Sequence, residues 1–439
     1  MKSPKSIEEK LDSLLLALEE SQQLSNWKCK FPLTSSNAHL LPPGAWLRNQ
    51  IIVPEEVQGI KIKGSKINIQ LLFPRGGEIF VNGKSVEKKE SWLDIDLPLT
   101  KRANPKEKFT VAIRAGKGKG VGYVWKSHLS IQVVENTIFR LETLLNEFRF
   151  IRALLRWNSK LRKQYSALLS EALAQIKIEL LDKKRIEEFI SSFEKAMKIF
   201  SPLSKEVKKF TIHLIGHAHL DMNWLWTWPA TLIAAKGTIQ SVNSLMKEYP
   251  DFHFSQSQAT LYSTMEKNYP SLFKETKKWV KQGRWEITAS TWVEGDLNMA
   301  SGEALVRQIL YAKKYIREKF GIEPKICWCP DTFGHPWTYP QILKKSGIDY
   351  YYGCRCRDPL RYPLFWWGAP DGSSVLAFNS GETYNNSIGP GLCSELIQTK
   401  ERTGSNDHLV VYGIGNHGGG PIRSDLEMAA KLQKRLLFR

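Results

Sequence analysis

The period of the hydrophobic positions changes three times along this chain. Leu11, Leu14, Leu15, Leu16 and Leu18, interrupted by Asp12, Glu19 and Glu20, predict an amphipathic helix within 1–29. From 30 to 135 short alternating runs take over: 62–73, EIFVNGKSV at 78–86 and KFTVAIRAG at 108–116. Gly, Pro and Asn separate them, and Asn82-Gly83 is a hairpin-turn signal. Such spacing predicts an all-β sandwich accessory domain. From 136 to 207 the period is helical again. Ile138, Leu141, Leu144, Leu145, Phe148, Ile151, Leu154 and Leu155 form one stripe, and a second run covers Ser166 to Ile176. This segment reads as a helical connector.

From 208 to 439 strands and helices alternate, which is the pattern of an α/β domain. The expected strands are 211–215, 252–256, 286–290, 325–329, 348–352, 374–378 and 408–412. Helical patterns at 258–282, 303–319 and 338–346 lie between several of them. Seven β units fit an open doubly wound sheet or a seven-stranded (β/α) barrel, and both collect active residues at the carboxyl ends of strands. The residues there are of one kind. HAHLD follows the first strand, Trp292, Glu294 and Asp296 the third, and PDTFGH from Pro330 the fourth. Arg355 and Arg357 follow the fifth, and Gly415-Asn416-His417 the seventh.

His219 and Asp221 sit at alternate positions of an extended segment, so both can reach one point. Imidazole nitrogen and carboxylate oxygen together suit Zn²⁺. The bland alternative is a hydrogen-bonded His beside a helix-capping Asp. Asp331, at a second strand end, makes a third donor and favours the metal. His217 shares the face as a supporting residue or an alternative ligand, with His219 preferred. Trp224, Trp226 and Trp228 beside polar groups suit a sugar, which has apolar faces and hydroxyl edges. Asp331 can also serve as the nucleophile of a retaining glycosidase, which needs a second acid ~5–5.5 Å away. Glu294 and Asp296 are candidates for that acid or for binding hydroxyls, against an equal reading as a polar loop before a helix. Arg355 either holds substrate or neutralises a carboxylate. GNHGGGP lacks the Lys-Ser/Thr ending of a phosphate loop and reads as a close-approach loop presenting Asn416 and His417.

Composition narrows the picture. Among 439 residues 42% are hydrophobic and 24% charged, values of a globular chain long enough for two or three domains. No run approaches the ~18 apolar residues of a membrane span, and the first residues do not read as a signal peptide, so no membrane partner and a cytoplasmic location are expected. The net charge of +19 raises the question of nucleic acid. Its lysines and arginines are spread over helical stretches flanked by Glu, with no binding motif, so no nucleic-acid partner is expected. Cys327/Cys329 and Cys354/Cys356 form two C-x-C pairs, too close for a usual structural zinc site and better read as small core residues.

Six segments then occur in order: GHAHLDMNWLW (216–226), FSQSQATLY (254–262), GRWEITASTWVEGDLNMASGEALVRQ (283–308), PDTFGHPWTYPQILKKSGIDYY (330–351), FWWGAPDGSSVLAF (365–378) and GIGNHGGGP (413–421). Over about 208–425 they resemble the catalytic domain of glycoside hydrolase family 38, the zinc-dependent retaining α-mannosidases of the cytosolic and microbial branch. The resemblance implies one Zn²⁺ (or another divalent metal) held by His219, Asp221 and Asp331, with Asp331 also the nucleophile. It implies Trp224 as the platform under the mannose ring and Arg355 as a cationic substrate contact. The implied substrate is a mannosyl oligosaccharide or glycan. Two departures stand beside it. The family's fourth ligand, a His in an HD-containing motif of a following helical domain, has no counterpart here, so an amino-terminal portion is expected: a truncated gene product inactive alone, half of a split enzyme completed by a carboxyl-terminal polypeptide, or an incomplete record. Asn416 stands where some relatives carry the acid Asp, which leaves His417, Glu294 and Asp296 as acid/base candidates. The competing readings are a non-catalytic glycan-binding remnant and a metal-dependent polysaccharide deacetylase. Asp331 within PDTFGH argues against the latter.

Overall fold

A computed structural model describes residues 3–24, 28–29, 42–73, 76–89, 93–117, 124, 126–355, 363–381, 383–415 and 418–434. The chain divides into two units, Met1–Pro202 and Leu203–Arg439.

In the first unit the amino-terminal helix runs Pro4–Glu20. Ser3 caps it by accepting from the Ser6 amide, Pro4 opens it, and Ile7, Leu11, Leu15 and Leu18 form its buried stripe. Arg149 pairs with Asp12, and Arg152 with Glu8, tying that helix to the helix Gln132–Trp157. The described strands of this unit are antiparallel and form a five-stranded sheet, a three-stranded sheet and a two-stranded ribbon, Glu56–Val57 with Ile60–Lys61. In Ile67–Phe73 every second residue is buried, so Ile67, Ile69, Leu71 and Phe73 line one face. Asn82 and Gly83, at φ 49° and 79°, turn the chain between Gly77–Val81 and Lys84–Lys89 as expected of an Asn-Gly hairpin.

The second unit is a mixed α/β structure with eight strands among its described residues: β1 Thr211–His217, β2 Phe254–Gln256, β3 Trp285–Ile287, β4 Ile326–Cys329, β5 Tyr350–Gly353, β6 Leu364–Gly368, β7 Ser374–Asn379 and β8 Asp407–Tyr412. They form two hydrogen-bonded sheets, in the orders β3-β2-β1-β8 and β4-β5-β7-β6. All pairs are parallel except β6 with β7. Each of the seven expected strands has a counterpart. The eighth, β6, was not expected. It joins β7 through a tight turn in which Asp371 binds the Ser373 amide and Gly372 takes φ 83°, a Pro-Asp-Gly hairpin signal within FWWGAPDGSS.

The helical pattern 258–282 is two helices, Ala259–Asn268 and Pro270–Lys281. Pro270 has no amide hydrogen and drives Tyr269 out of the helical region, to φ −140°. Two further helices, Trp228–Glu248 and Leu392–Thr403, follow β1 and β7. The C-x-C pair on β4 lies on one face, with Cys327 and Cys329 sulfurs 3.5 Å apart in the core. Cys354 packs in a different cluster with Trp328 and Tyr352, so these three thiols do not form one metal site. Cys356 and the side chain of Cys29 lie outside the described residues. No described helix is long and apolar enough to cross a membrane.

The core between β2 and β3 is aromatic. Phe254 meets Trp285 edge to face at 4.7 Å, the Trp285 indole donates to the Tyr262 hydroxyl, and that hydroxyl donates to the Gln256 carbonyl. At the end of β8, Gly413 passes so close to β1 that an added Cβ would lie 2.4 Å from the His217 carbonyl oxygen. Backbone on both sides leaves no side chain to yield. Gly413→Ala is therefore expected to cost about 1–3 kcal/mol through overpacking. Urea unfolding measures it, and an unchanged midpoint would disprove the crowding.

Candidate active site

Parallel pairing brings the carboxyl ends of β1, β2, β3 and β8 to one side of their sheet, and the loops that follow carry the polar groups. The segment beyond β1 is pinned by hydrogen bonds to its main chain. Gln256 donates to the Ala218 carbonyl (3.1 Å), and Gln258 to that of Leu220 (2.9 Å). The Thr231 hydroxyl lies 2.7 Å from the Met222 carbonyl and 3.1 Å from that of Asp221. Gln258 is buried and held at φ 66°, a conformation a non-glycine residue adopts at a cost.

These constraints fix His219 and Asp221, and the Asp331 amide is held by Glu294; one donor atom from each of His219, Asp221 and Asp331 falls inside a 4.8 Å span. His219 Nε2 lies 3.3 Å from Asp221 Oδ1 and 3.8 Å from Asp331 Oδ2. Bonds of ~2.0–2.1 Å in tetrahedral geometry imply roughly 3.3–3.5 Å between neighbouring donors; the His219–Asp221 pair is at that spacing, the Asp331 oxygen at 3.8 Å lies just beyond it, and the N/O donor set suits a small divalent cation. The side chains of Asp221 and Asp331 are partly open while His219 is buried, as suits a rigid donor beneath an accessible site.

The surrounding charges are balanced. Arg355 Nε donates to Asp331 Oδ1 at 2.6 Å, and its guanidinium lies over the rings of Phe333 (5.3 Å) and Tyr384 (5.8 Å). Burial alone would depress the His219 imidazole, but the carboxylates of Glu294 and Asp221 outweigh it and raise its pKa to about 10. Burial pushes His217 the other way, down to about 3. Neutral His217 donates from Nε2 to the Tyr384 carbonyl at 2.8 Å and packs edge-on against Trp328. It supports the wall of the site rather than joining the donor set.

Of the residues expected from sequence, His219, Asp221, Asp331, Glu294 and Arg355 come together. Glu294, expected as an acid/base or hydroxyl-binding group, is 5% exposed. Oε1 accepts from the Asp331 amide and the Thr332 hydroxyl, and Oε2 faces His219 Nδ1. Asp296 Oδ1 accepts from the amides of Asn298 and Met299, capping the turn that precedes the helix Gly302–Phe320. Trp224 is 67% exposed, with Trp226 edge-on at 5.2 Å. Asn416, His417 and Arg357 lie outside the described residues. Sequence reasoning missed Gln258 and Tyr384, whose ring packs against His219 at 5.1 Å. The signal for Gln258 was four consecutive polar residues, 255–258, in a strand-to-helix junction where burial requires partners.

Residues 209–438 match the family model described as the glycosyl hydrolases family 38 N-terminal domain. Alpha-mannosidase G of Dictyostelium discoideum is 32% identical over 242 residues, covering 53% of this chain and 22% of that protein. Alpha-mannosidase 2C1 of Homo sapiens is 30% identical over 267 residues, covering 58% and 25% respectively. The crystal structure of an alpha-mannosidase from Enterococcus faecalis V583 aligns with 52% of this chain and 27% of its own, at 20% identity and a TM-score of 0.47. The match thus spans a quarter or less of the two curated relatives' length.

The donor geometry makes a direct prediction. The wild-type chain is expected to bind one Co²⁺ with a visible absorption band, and His219→Ala to lose both the band and tight binding. Retained one-to-one binding in the variant would place the cation elsewhere.

Proposed function

The chain belongs to glycosyl hydrolase family 38, whose amino-terminal domain model covers residues 209–438, and on that premise we propose that it hydrolyses terminal α-mannosyl residues of glycans with retention at a zinc site. The observation that carries this reading is the division of the two Asp331 oxygens. One is ion-paired to Arg355, and the other is turned toward His219 and the metal donor set. A carboxylate so held is oriented before substrate arrives. Arg355 fixes one of its oxygens, leaving the other to attack C1 as the glycosidic C1–O bond breaks; water then hydrolyses the resulting glycosyl ester and restores the carboxylate. His219, Asp221 and Asp331 would hold the zinc, which supplies Lewis-acid stabilisation of oxygen charge and orients sugar hydroxyls. Trp224, open to solvent, offers the apolar face on which the sugar ring rests.

We read the second unit as a seven-stranded barrel. The sheet orders β3-β2-β1-β8 and β4-β5-β7 are what such a barrel gives when its ladder is interrupted at two seams, with β6 added at one edge. We read the two antiparallel sheets of the first unit as a sandwich. Because Glu294 is committed to neighbouring groups, the proton for the leaving oxygen is assigned to Asp296 or His417, with Asn416 and Arg355 contacting the sugar. The acid is identified by leaving group. Its loss slows a methyl mannoside far more than a nitrophenyl mannoside, so Asp296→Asn and His417→Gln are compared on both.

The nucleophile prediction is the decisive one. Asp331→Ala should lower turnover of an aryl α-mannoside by ~10³-fold or more. Undiminished turnover in that variant, or none in the zinc-supplemented wild-type chain, would overturn the reading of this chain as an active mannosidase. Trp224→Ala should raise KM about 10-fold with kcat little changed, the loss of about 1.4 kcal/mol of stacking. An unchanged KM would remove Trp224 from the sugar site.

A further inference from the structure

Glu294 is the one carboxylate of the site that faces inward. Its side chain is 5% exposed, so it offers no oxygen to a bulky substrate. Oε1 accepts 2.7 Å from the Asp331 amide and 3.0 Å from the Thr332 hydroxyl. Oε2 lies 3.3 Å from His219 Nδ1 in an ion-pair contact, and neither of these two buried atoms has a hydrogen-bond partner among the described residues. The Glu294 amide in turn donates 3.0 Å to Gln258 Oε1, while Gln258 Nε2 donates 2.9 Å to the Leu220 carbonyl, one residue before Asp221. One side chain and its own backbone therefore reach the loops that carry all three donors.

We infer that Glu294 is a positioning residue, acting through His219 and Asp331 to align the metal donor set rather than touching substrate. This rests on the metal reading given above. His219 can donate to a cation from Nε2 only if its ring proton sits on Nδ1. A carboxylate facing Nδ1 holds the proton there, fixes the ring plane and makes Nε2 a better donor. The same carboxylate fixes the main chain at Asp331 through the amide, so the angle between the imidazole and the Asp331 oxygens depends on one group.

A neutral amide of the same shape cannot perform both tasks. With its oxygen toward the Asp331 amide, Gln at 294 presents an N–H to His219 Nδ1, which favours the tautomer that blocks Nε2. With its oxygen toward His219, it sets an NH₂ group against the Asp331 N–H. Either orientation leaves a buried mismatch, so the charge-neutral, shape-preserving change is informative.

The test measures Zn²⁺ affinity of the full chain by competition with a chromophoric chelator, for wild type, Glu294→Gln and Thr332→Val. Near-UV circular dichroism and urea midpoints of the metal-free proteins monitor the fold. Glu294→Gln should bind zinc ~10–100-fold more weakly while its metal-free fold is retained. Thr332→Val keeps the carboxylate but loses one hydrogen bond to it, and should weaken zinc by ~3-fold. Should Glu294→Gln fail to fold, Thr332→Val decides. Zinc affinity equal to wild type in a folded Glu294→Gln protein, or in Thr332→Val when that variant decides, overturns the positioning role and leaves the metal reading standing. A folded wild-type chain that takes up no zinc overturns the metal reading itself.

Discussion

Parallel backbone pairing is the constraint on which the site depends. β1 lies between β2 and β8 with Gly216 opposite both Phe254 and Tyr412, so three strand ends stop at nearly the same height. A parallel ladder sends the loops after β1, β3 and β8 out on one side, and Asp331, which follows β4 of the other sheet, is tied to them through Glu294. His219 and Asp221 on one loop, Glu294 on another and Asp331 on a third are 112 or fewer residues apart in the chain yet meet within a few ångströms. Gly413 shows how tightly the ladder closes at that height, since nothing larger than hydrogen fits beside the His217 carbonyl.

Concentrating charge at one end of a sheet carries an electrostatic cost, and the arrangement offsets it locally. Burial disfavours a charged His219, yet the facing carboxylates raise its pKa, so attraction exceeds desolvation at that position. Arg355 donates to Asp331 at 2.6 Å and is itself backed by the faces of Phe333 and Tyr384. His217, two residues from His219, faces no carboxylate among the described residues and is driven neutral by burial. Two histidines on the same extended segment thus take opposite electrostatic roles. The difference comes from which loops face them, because their own backbone environment is nearly the same.

What was legible in sequence follows the strength of each local signal. Apolar runs bounded by polar strand ends marked the seven parallel strands, because a buried parallel strand has few other compositions available. β6 was overlooked because its LFWWG run continues directly into a Pro-Asp-Gly turn and an already recognised strand, and edge strands carry weaker periodicity. The 258–282 pattern kept a helical period across Pro270, so the break showed only in the proline and not in the hydrophobic spacing. Asp331 and Arg355 were recognisable as polar residues at strand ends. Their ion pair was not, since it joins loops 24 residues apart.

The sequence by itself determined the positions of the seven parallel strands, the polar character of their carboxyl ends and the pairing of His219 with Asp221, all of which follow from periodicity and alternation over a few residues. Family membership rests on the same linear information. Only the tertiary structure decided what each polar group contacts. Glu294 and Asp296 are two residues apart and equally acidic, yet one is buried against His219 and the Asp331 amide while the other caps a turn. The physical reason is that a carboxylate's role is set by the donors that reach it. Here those donors arrive from other strands, at distances that no local pattern encodes.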